Sequence, residues 1–252
     1  MKIDLDNVWG NPKYHRNIPV YPVQMENIEQ LYDAVQCLLI PKNTIQDPMI
    51  IKMSYLAFLI LISSDGVNKH FFDKLVTLIK LISRSENIRF DVDEKNKYTI
   101  VIDDEIVIRE RDFDKIKVII GEQNLIDVSD ESLGTEFDRA KSEARAFMNK
   151  RNKKMADLEQ QIIAYKCVSK SSYEDIKNMT IYQFRKELER YDLIKSADIL
   201  QNAQYSGMVS FKEGAEIPHW LDQIETKNPD DDIVMSKEQL DKLVSDKGLA
   251  NN

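Results

Sequence analysis

The chain has 252 residues, 42% of them hydrophobic and 31% charged, with a net charge of −8 and only 7 Gly and 7 Pro. That length is enough for one large or two modest domains, and the scarcity of chain breakers excludes low complexity and disfavours a many-turned all-β fold. The acid excess opposes general affinity for phosphate backbones or anionic lipid, which comes mainly from Lys and Arg displacing counterions.

Residues 1–24 hold several breakers and scattered aromatics, among them Trp9, Tyr14 and Tyr21. This predicts an extended arm ending in a short edge strand near Ile18 to Val23. Trp9 either folds back onto the core or docks on a partner subunit, since an aromatic on such an arm needs cover. The charges in MKIDLDNVWG stand where a signal peptide needs an apolar run, so a cytoplasmic product is expected.

From Glu26 the spacing of Ile28, Leu31, Tyr32, Val35, Leu38 and Leu39 is that of an amphipathic helix closed by Pro41. Asp47 and Pro48 then write a helix start, cap and first turn, for the stretch DPMIIKMSYLAFLILI. A helix over Asp47 to Ile62 with almost no polar face belongs at the centre of a core. Its uninterrupted apolar run is well short of the ~20 residues needed to span a bilayer. A third helix, Asn68 to Ile82, turns Phe71, Phe72, Leu75, Val76, Leu78, Ile79 and Ile82 inward.

The period then changes to that of strands. Ile88 to Val92, Tyr98 to Ile102 and Glu105 to Arg109 are β-branched and separated by polar turns, which predicts a three-stranded meander lying on the helices. Asp112 reads as the cap of a short helix carrying Phe113, Ile116, Ile119 and Ile120, with Gly121 near its end. The acidic, breaker-containing run from Asp127 to Glu136 marks a domain boundary, and Phe137 to Lys154 reads as a solvated or partner-facing connector helix.

Beyond it, Met155 to Val168 regains helical periodicity. Ser171 with Glu174, and Thr180 with Gln183, read as capping boxes opening a short and a long helix. The long helix turns Phe184, Leu188, Tyr191, Ile194, Ile199 and Leu200 inward, and Pro218 to Leu221 close the bundle. Thr226 to Asp232 reads as a charged linker. A last capping box at Ser236 and Gln239 precedes a short helix whose apolar face is Leu240, Leu243 and Val244. The expected fold is α+β and predominantly helical: an arm (1–24), an α+β core (25–126), a connector (127–154), a helical domain (155–225) and a tail (226–252).

No residue pattern calls for a metal or cofactor. His15, His70 and His219 have no ligand at metal spacing, and no Ser stands in a glycine-flanked elbow. Cys37 and Cys167 lie in apolar-periodic segments and read as reduced core thiols. The best enzyme candidate is the acidic set Asp91, Asp93, Glu94, Asp103, Asp104 and Glu105, because carboxylates at strand ends can hold Mg²⁺. The strand after Asp104 lacks the lysine that such nuclease cores use, and a solvated turn is favoured. Lys150, Arg151, Lys153 and Lys154 form the one basic knot in the sequence, read as a solvated or partner-matching face. Tyr173 to Tyr191 imitates a helix-turn-helix, but Glu187 and Glu189 on its second helix would repel phosphates.

Three stretches carry a family resemblance: YPVQ with DPMIIKMSYLAFLI; DFDKIKVIIGEQN; and MTIYQFRKELERYD followed by SGMVSFK and IPHWLDQI. In this order the chain resembles phage and prophage proteins of Gram-positive bacteria that look like tail assembly chaperones of long-tailed phages. The resemblance implies a non-catalytic assembly factor in the host cytoplasm that binds the tape-measure protein, with a homo-oligomer as a further expected association. A structural component of tail or baseplate, and hence of the virion, is the alternative; a helix-turn-helix DNA-binding protein is the second. Candidate partner contacts are Trp9, Lys150, Arg151, Lys153, Lys154, Trp220, Leu240 and Leu243.

Overall fold

A computed structural model of the chain describes residues 4–40, 42, 47–64, 68–128, 157–206, 219–222 and 224. Helices dominate, and two small antiparallel sheets complete an α+β fold. The elements in order are α1 (Asp6–Trp9), β1 (Lys13–His15), β2 (Ile18–Val20), α2 (Ile28–Ala34), α3 (Pro48–Lys52), α4 (Tyr55–Ser63), α5 (His70–Ser83), β3 (Ile88–Val92), β4 (Tyr98–Ile102), β5 (Ile106–Arg109), α6 (Glu110–Asn124), α7 (Leu158–Ser169), α8 (Tyr173–Asn178) and α9 (Ile181–Ser206). Short 3-10 turns flank α2 on both sides.

The apolar stretch expected as one helix from Asp47 to Ile62 is two. Asp47 caps α3, accepting from the Met49 amide, with Pro48 in the first turn. The chain turns extended at Met53, and Ser54 caps α4 by accepting from the Ala57 amide. A second cap inside the run ends the first helix, and Lys42 donates to the Met53 carbonyl that the break exposes. Only the second piece fills the core: Tyr55 to Leu59 are all buried, whereas Met49 is 76% exposed.

Tyr55 is the fixed point of that core. Its ring stacks edge-on to Phe58 and lies under the Lys117 ammonium of α6, 3.6 Å from the ring centroid. Its hydroxyl sits 3.0 Å from the carbonyls of Cys37 and Ile40, and its amide donates to Asp114 of α6. One residue thus joins α4 to α6 and to the end of the first helical segment.

The expected meander forms, with Ile100 opposite both Phe90 and Ile108, and Ile102 opposite Ile88 and Ile106. Alternation puts those isoleucines on the helices, where Phe90 meets Phe72 of α5 at 4.7 Å between ring centroids. The opposite face carries Arg89, Asp91, Thr99, Val101, Val107 and Arg109.

The arm is more ordered than an edge strand. It makes a one-turn helix closed by Gly10 at φ 70 and then a hairpin in which Tyr14 pairs with Pro19. Its continuation, Val20 to Met25, is extended, and its backbone groups find partners on separate elements. The Tyr21 amide donates to Ile82 at the end of α5; Val20 O and Val23 N bond to the buried side chains of Gln123 and Asn124 on α6. Met25 N donates to Met179 O, and Ile181 N donates to Val23 O, around an isolated bridge between Gln24 and Thr180. Tyr165, Ile176, Ile181 and Phe184 of the C-terminal helices therefore share a core with α2, α4 and α5.

Candidate partner-binding surfaces

Two faces of the molecule combine exposure with chemistry. The first lies on the C-terminal helices. Thr180 and Gln183 form the expected reciprocal cap: the Thr180 amide donates to Gln183 Oε1 and the Gln183 amide to Thr180 Oγ1. Gln183 also donates to the Val8 carbonyl, which pins the arm to the start of α9. The preceding capping box is one residue later than the sequence suggested: Ser172, not Ser171, is the cap, with Asp175 as its partner. Hydrogen bonds from Ser172 hold the Asp175 carboxyl below the usual carboxylate range.

Between α7 and α9 runs a groove of about 520 Å³. Ala164, Val168, Leu188 and Tyr191 supply its apolar part, and Arg185, Glu189, Asp192 and Lys195 its charged rim. Beneath it the Tyr165 ring packs edge-on against Phe184 and Tyr191, and its hydroxyl donates to Glu187. Burial, then the Glu187 carboxylate, pushes the Tyr165 phenol up to about 12. Further along α9, Ile199 is 67% exposed; it was expected inward, and Ala197 is the buried residue of that turn instead.

The second face is the outer side of the meander, a basin of about 760 Å³ bordered by the hairpin tip and the first turn of α6. Asp112 is not a helix cap, because α6 begins at Glu110 directly after β5 and Asp112 sits inside its first turn. Its carboxylate is buried and takes His15 Nε2 and Arg16 Nη1, each at 3.0 Å. Arg16 holds φ 55 at the hairpin tip. No local pattern announces this cluster, since His15 and Asp112 lie 97 positions apart.

The acidic set proposed for a metal is scattered. Asp93 accepts from the Lys95 and Lys97 amides and shapes its own turn, Asp103 accepts from Ser85, and Arg89 binds both Asp91 and Asp104. Among the described residues no group of three His, Cys, Asp or Glu side chains is placed to hold a metal ion. The cations of the helix-turn-helix imitation are occupied: Arg185 by Gln161 and the Tyr32 hydroxyl, Lys186 by Glu189, and Arg190 by the carbonyls of Trp220 and Asp222. The turn itself is filled by Val23 to Met25.

Of the candidate contacts, Trp9 ends α1 with 68% of its surface exposed although the arm around it is folded back. Trp220 is 48% exposed and Leu221 64%, so this segment does not close the bundle by apolar burial; Arg190 holds it through main-chain carbonyls. Lys150, Arg151, Lys153, Lys154, Leu240 and Leu243 lie outside the described residues, as do most of the acidic boundary, the connector helix, the charged linker and the last capping box. The two thiols differ: Cys37 is a core residue and Cys167 is exposed, not buried as expected.

These elements define a predominantly helical α+β protein in which no described helix is long and apolar enough to cross a membrane. A family model described as the YomV second domain matches residues 149–225, the stretch that holds the α7–α9 groove. That family is of Bacillus phage and prophage type, so the matched part fits a phage protein. Among curated proteins and among solved structures nothing matches.

Proposed function

We propose that this chain is a phage assembly protein that works by holding another phage-encoded polypeptide, as a tail assembly chaperone for the tape-measure protein. The observation that carries this reading is the α7–α9 groove, which lies in the phage-type stretch and combines an apolar floor with rim charges of both signs. An amphipathic helix of a long, helix-rich partner fits such a groove by placing its apolar stripe on Leu188 and Tyr191 and its polar flanks beside Asp192 and Lys195. The occupied cations of α9 favour this reading over DNA binding. Work in the host cytoplasm follows from it.

Co-expression with the tape-measure protein tests the proposal. The two should co-purify, and Leu188→Glu should abolish the complex while leaving the circular dichroism unchanged. Failure to co-purify would remove the chaperone role. A virion component is the second reading, favoured by the exposed Trp9 at the end of an anchored arm. Gel analysis of purified particles separates the two, because a chaperone is missing from them and a structural subunit is present in stoichiometric amount.

A further inference from the structure

The outer face of the meander carries cations that the acidic composition conceals, and two of them, Arg109 and Arg111, are uncommitted among the described residues. Alternation along the strands places two rows on this face: Asp91, Thr99 and Arg109, and Arg89, Val101 and Val107. Val101 and Val107 pair across β4 and β5 and form an apolar floor. Around the floor stand Arg109 and Arg111, whose guanidinium groups make no hydrogen bond or ion pair among the described residues, together with Arg16, Lys95 and Lys97.

The basin also holds five carboxylates, and four of them are already engaged within the fold. Asp91 binds Arg89 at 2.8 Å, Asp93 accepts the amides of its own turn, Glu110 accepts the Tyr98 amide at 3.0 Å, and Asp112 is buried under His15 and Arg16. An incoming ligand therefore meets the uncommitted donors of Arg109 and Arg111 beside carboxylates already tied into the fold. A guanidinium presents a planar fork of donors that matches a carboxylate with two parallel bonds.

We propose that this basin binds a short acidic segment of a partner polypeptide, with a side-chain carboxylate on Arg109 and Arg111 and an aliphatic neighbour on Val101 and Val107. The valine floor suits an aliphatic side chain beside the carboxylate and has no counterpart in a nucleic-acid backbone. The site is separate from the α7–α9 groove, and its test involves no phage protein, so each stands or falls alone.

Fluorescence anisotropy of the full chain with a labelled peptide of alternating glutamate and valine tests the proposal at low salt. Binding is expected, and should weaken by about tenfold or more for the glutamine and valine counterpart, in line with the loss of charge-assisted hydrogen bonds. Arg109→Gln with Arg111→Gln should cause a similar loss. Both side chains are exposed, so the fold should hold; if circular dichroism shows otherwise, Val107→Glu on its own serves as the second variant. Equal binding of the two peptides, binding indifferent to these variants, full competition by millimolar inorganic phosphate, or equal affinity for a short DNA strand would each overturn the proposal.

Discussion

Helices α4 and α9 are both rich in apolar residues, and they use them in opposite ways. In α4 five consecutive residues, Tyr55 to Leu59, are buried, so the first part of the helix is given over to the protein's own interior. In α9 only Ile181, Phe184 and Ala197 are buried along 26 residues, while Ile199 and Tyr205 stand 67% and 84% exposed. The first turns of α9 are anchored by the cap, the arm and the shared core, and farther along Ile199 and Tyr205 project outward. The contrast separates residues that stabilise the fold from residues free to meet something else, and it says that changes in the two helices should have opposite signatures.

The largest expected effect is on the α4 side. Phe58→Ala removes a fully buried ring and should lower unfolding free energy by about 3–5 kcal/mol, read from the urea midpoint. Should it cost less than about 1 kcal/mol, α4 is not the centre of the core. Next comes Gly121→Ala on α6. The added Cβ would lie 2.5 Å from Val128 Cγ2 and 2.9 Å from the Ile126 carbonyl, so the chain leaving α6 must shift, at about 1–3 kcal/mol. Thr180→Ala tests the anchored end of α9 and should cost about 1 kcal/mol by unmaking the capping box. Smallest of all, Ile199→Ala and Tyr205→Ala should stay within about 0.5 kcal/mol of the parent. A large loss at either position would give the outer part of α9 a structural role and erase the contrast.

The two thiols sharpen the comparison without a change of fold. Cys37 is buried, and desolvation pushes its thiol up to about 12 from 9.0. A folded-state pKa above the unfolded one means that the native chain holds the proton more tightly. Its contribution to stability is therefore complete below about pH 9 and is lost as pH rises toward 12. Urea midpoints measured at rising alkaline pH should fall through this window, and the fall should lessen in Cys37→Ala. An aromatic disulfide reagent should label Cys167 rapidly in the native chain and Cys37 only after unfolding.

Local signals in the sequence carried most of the element pattern. The meander was legible because β-branched alternation and polar turns are short-range, and the Thr180 and Gln183 box because its partners lie three residues apart. Where two neighbouring residues suit the same role, sequence does not separate them. Ser171 and Ser172 both qualify as a cap, and Asp112 suits a cap as well as a first turn. Ser54, inside the apolar run, acts as a second helix start that the run's hydrophobicity hides. The outer-face basin was not legible at all, because Arg16, Lys95 and Arg109 come from separate turns and strand ends that only the register brings together. Gln123 and Asn124 were missed for the same reason: their role is to satisfy the backbone of Val20 to Val23, about a hundred positions away.

The bridge that joins Gln24 to Thr180 sets a timetable for biosynthesis. The amide of Met25 leaves the ribosome well before the carbonyl of Met179 that will receive it. At roughly 5–20 residues per second, that gap lasts on the order of 8–30 s. During this interval Val20, Tyr21 and Val23 find Gln123, Ile82 and Asn124 as these emerge, whereas the Met25 amide waits for Met179, so this joint is the last part of the extended segment to close.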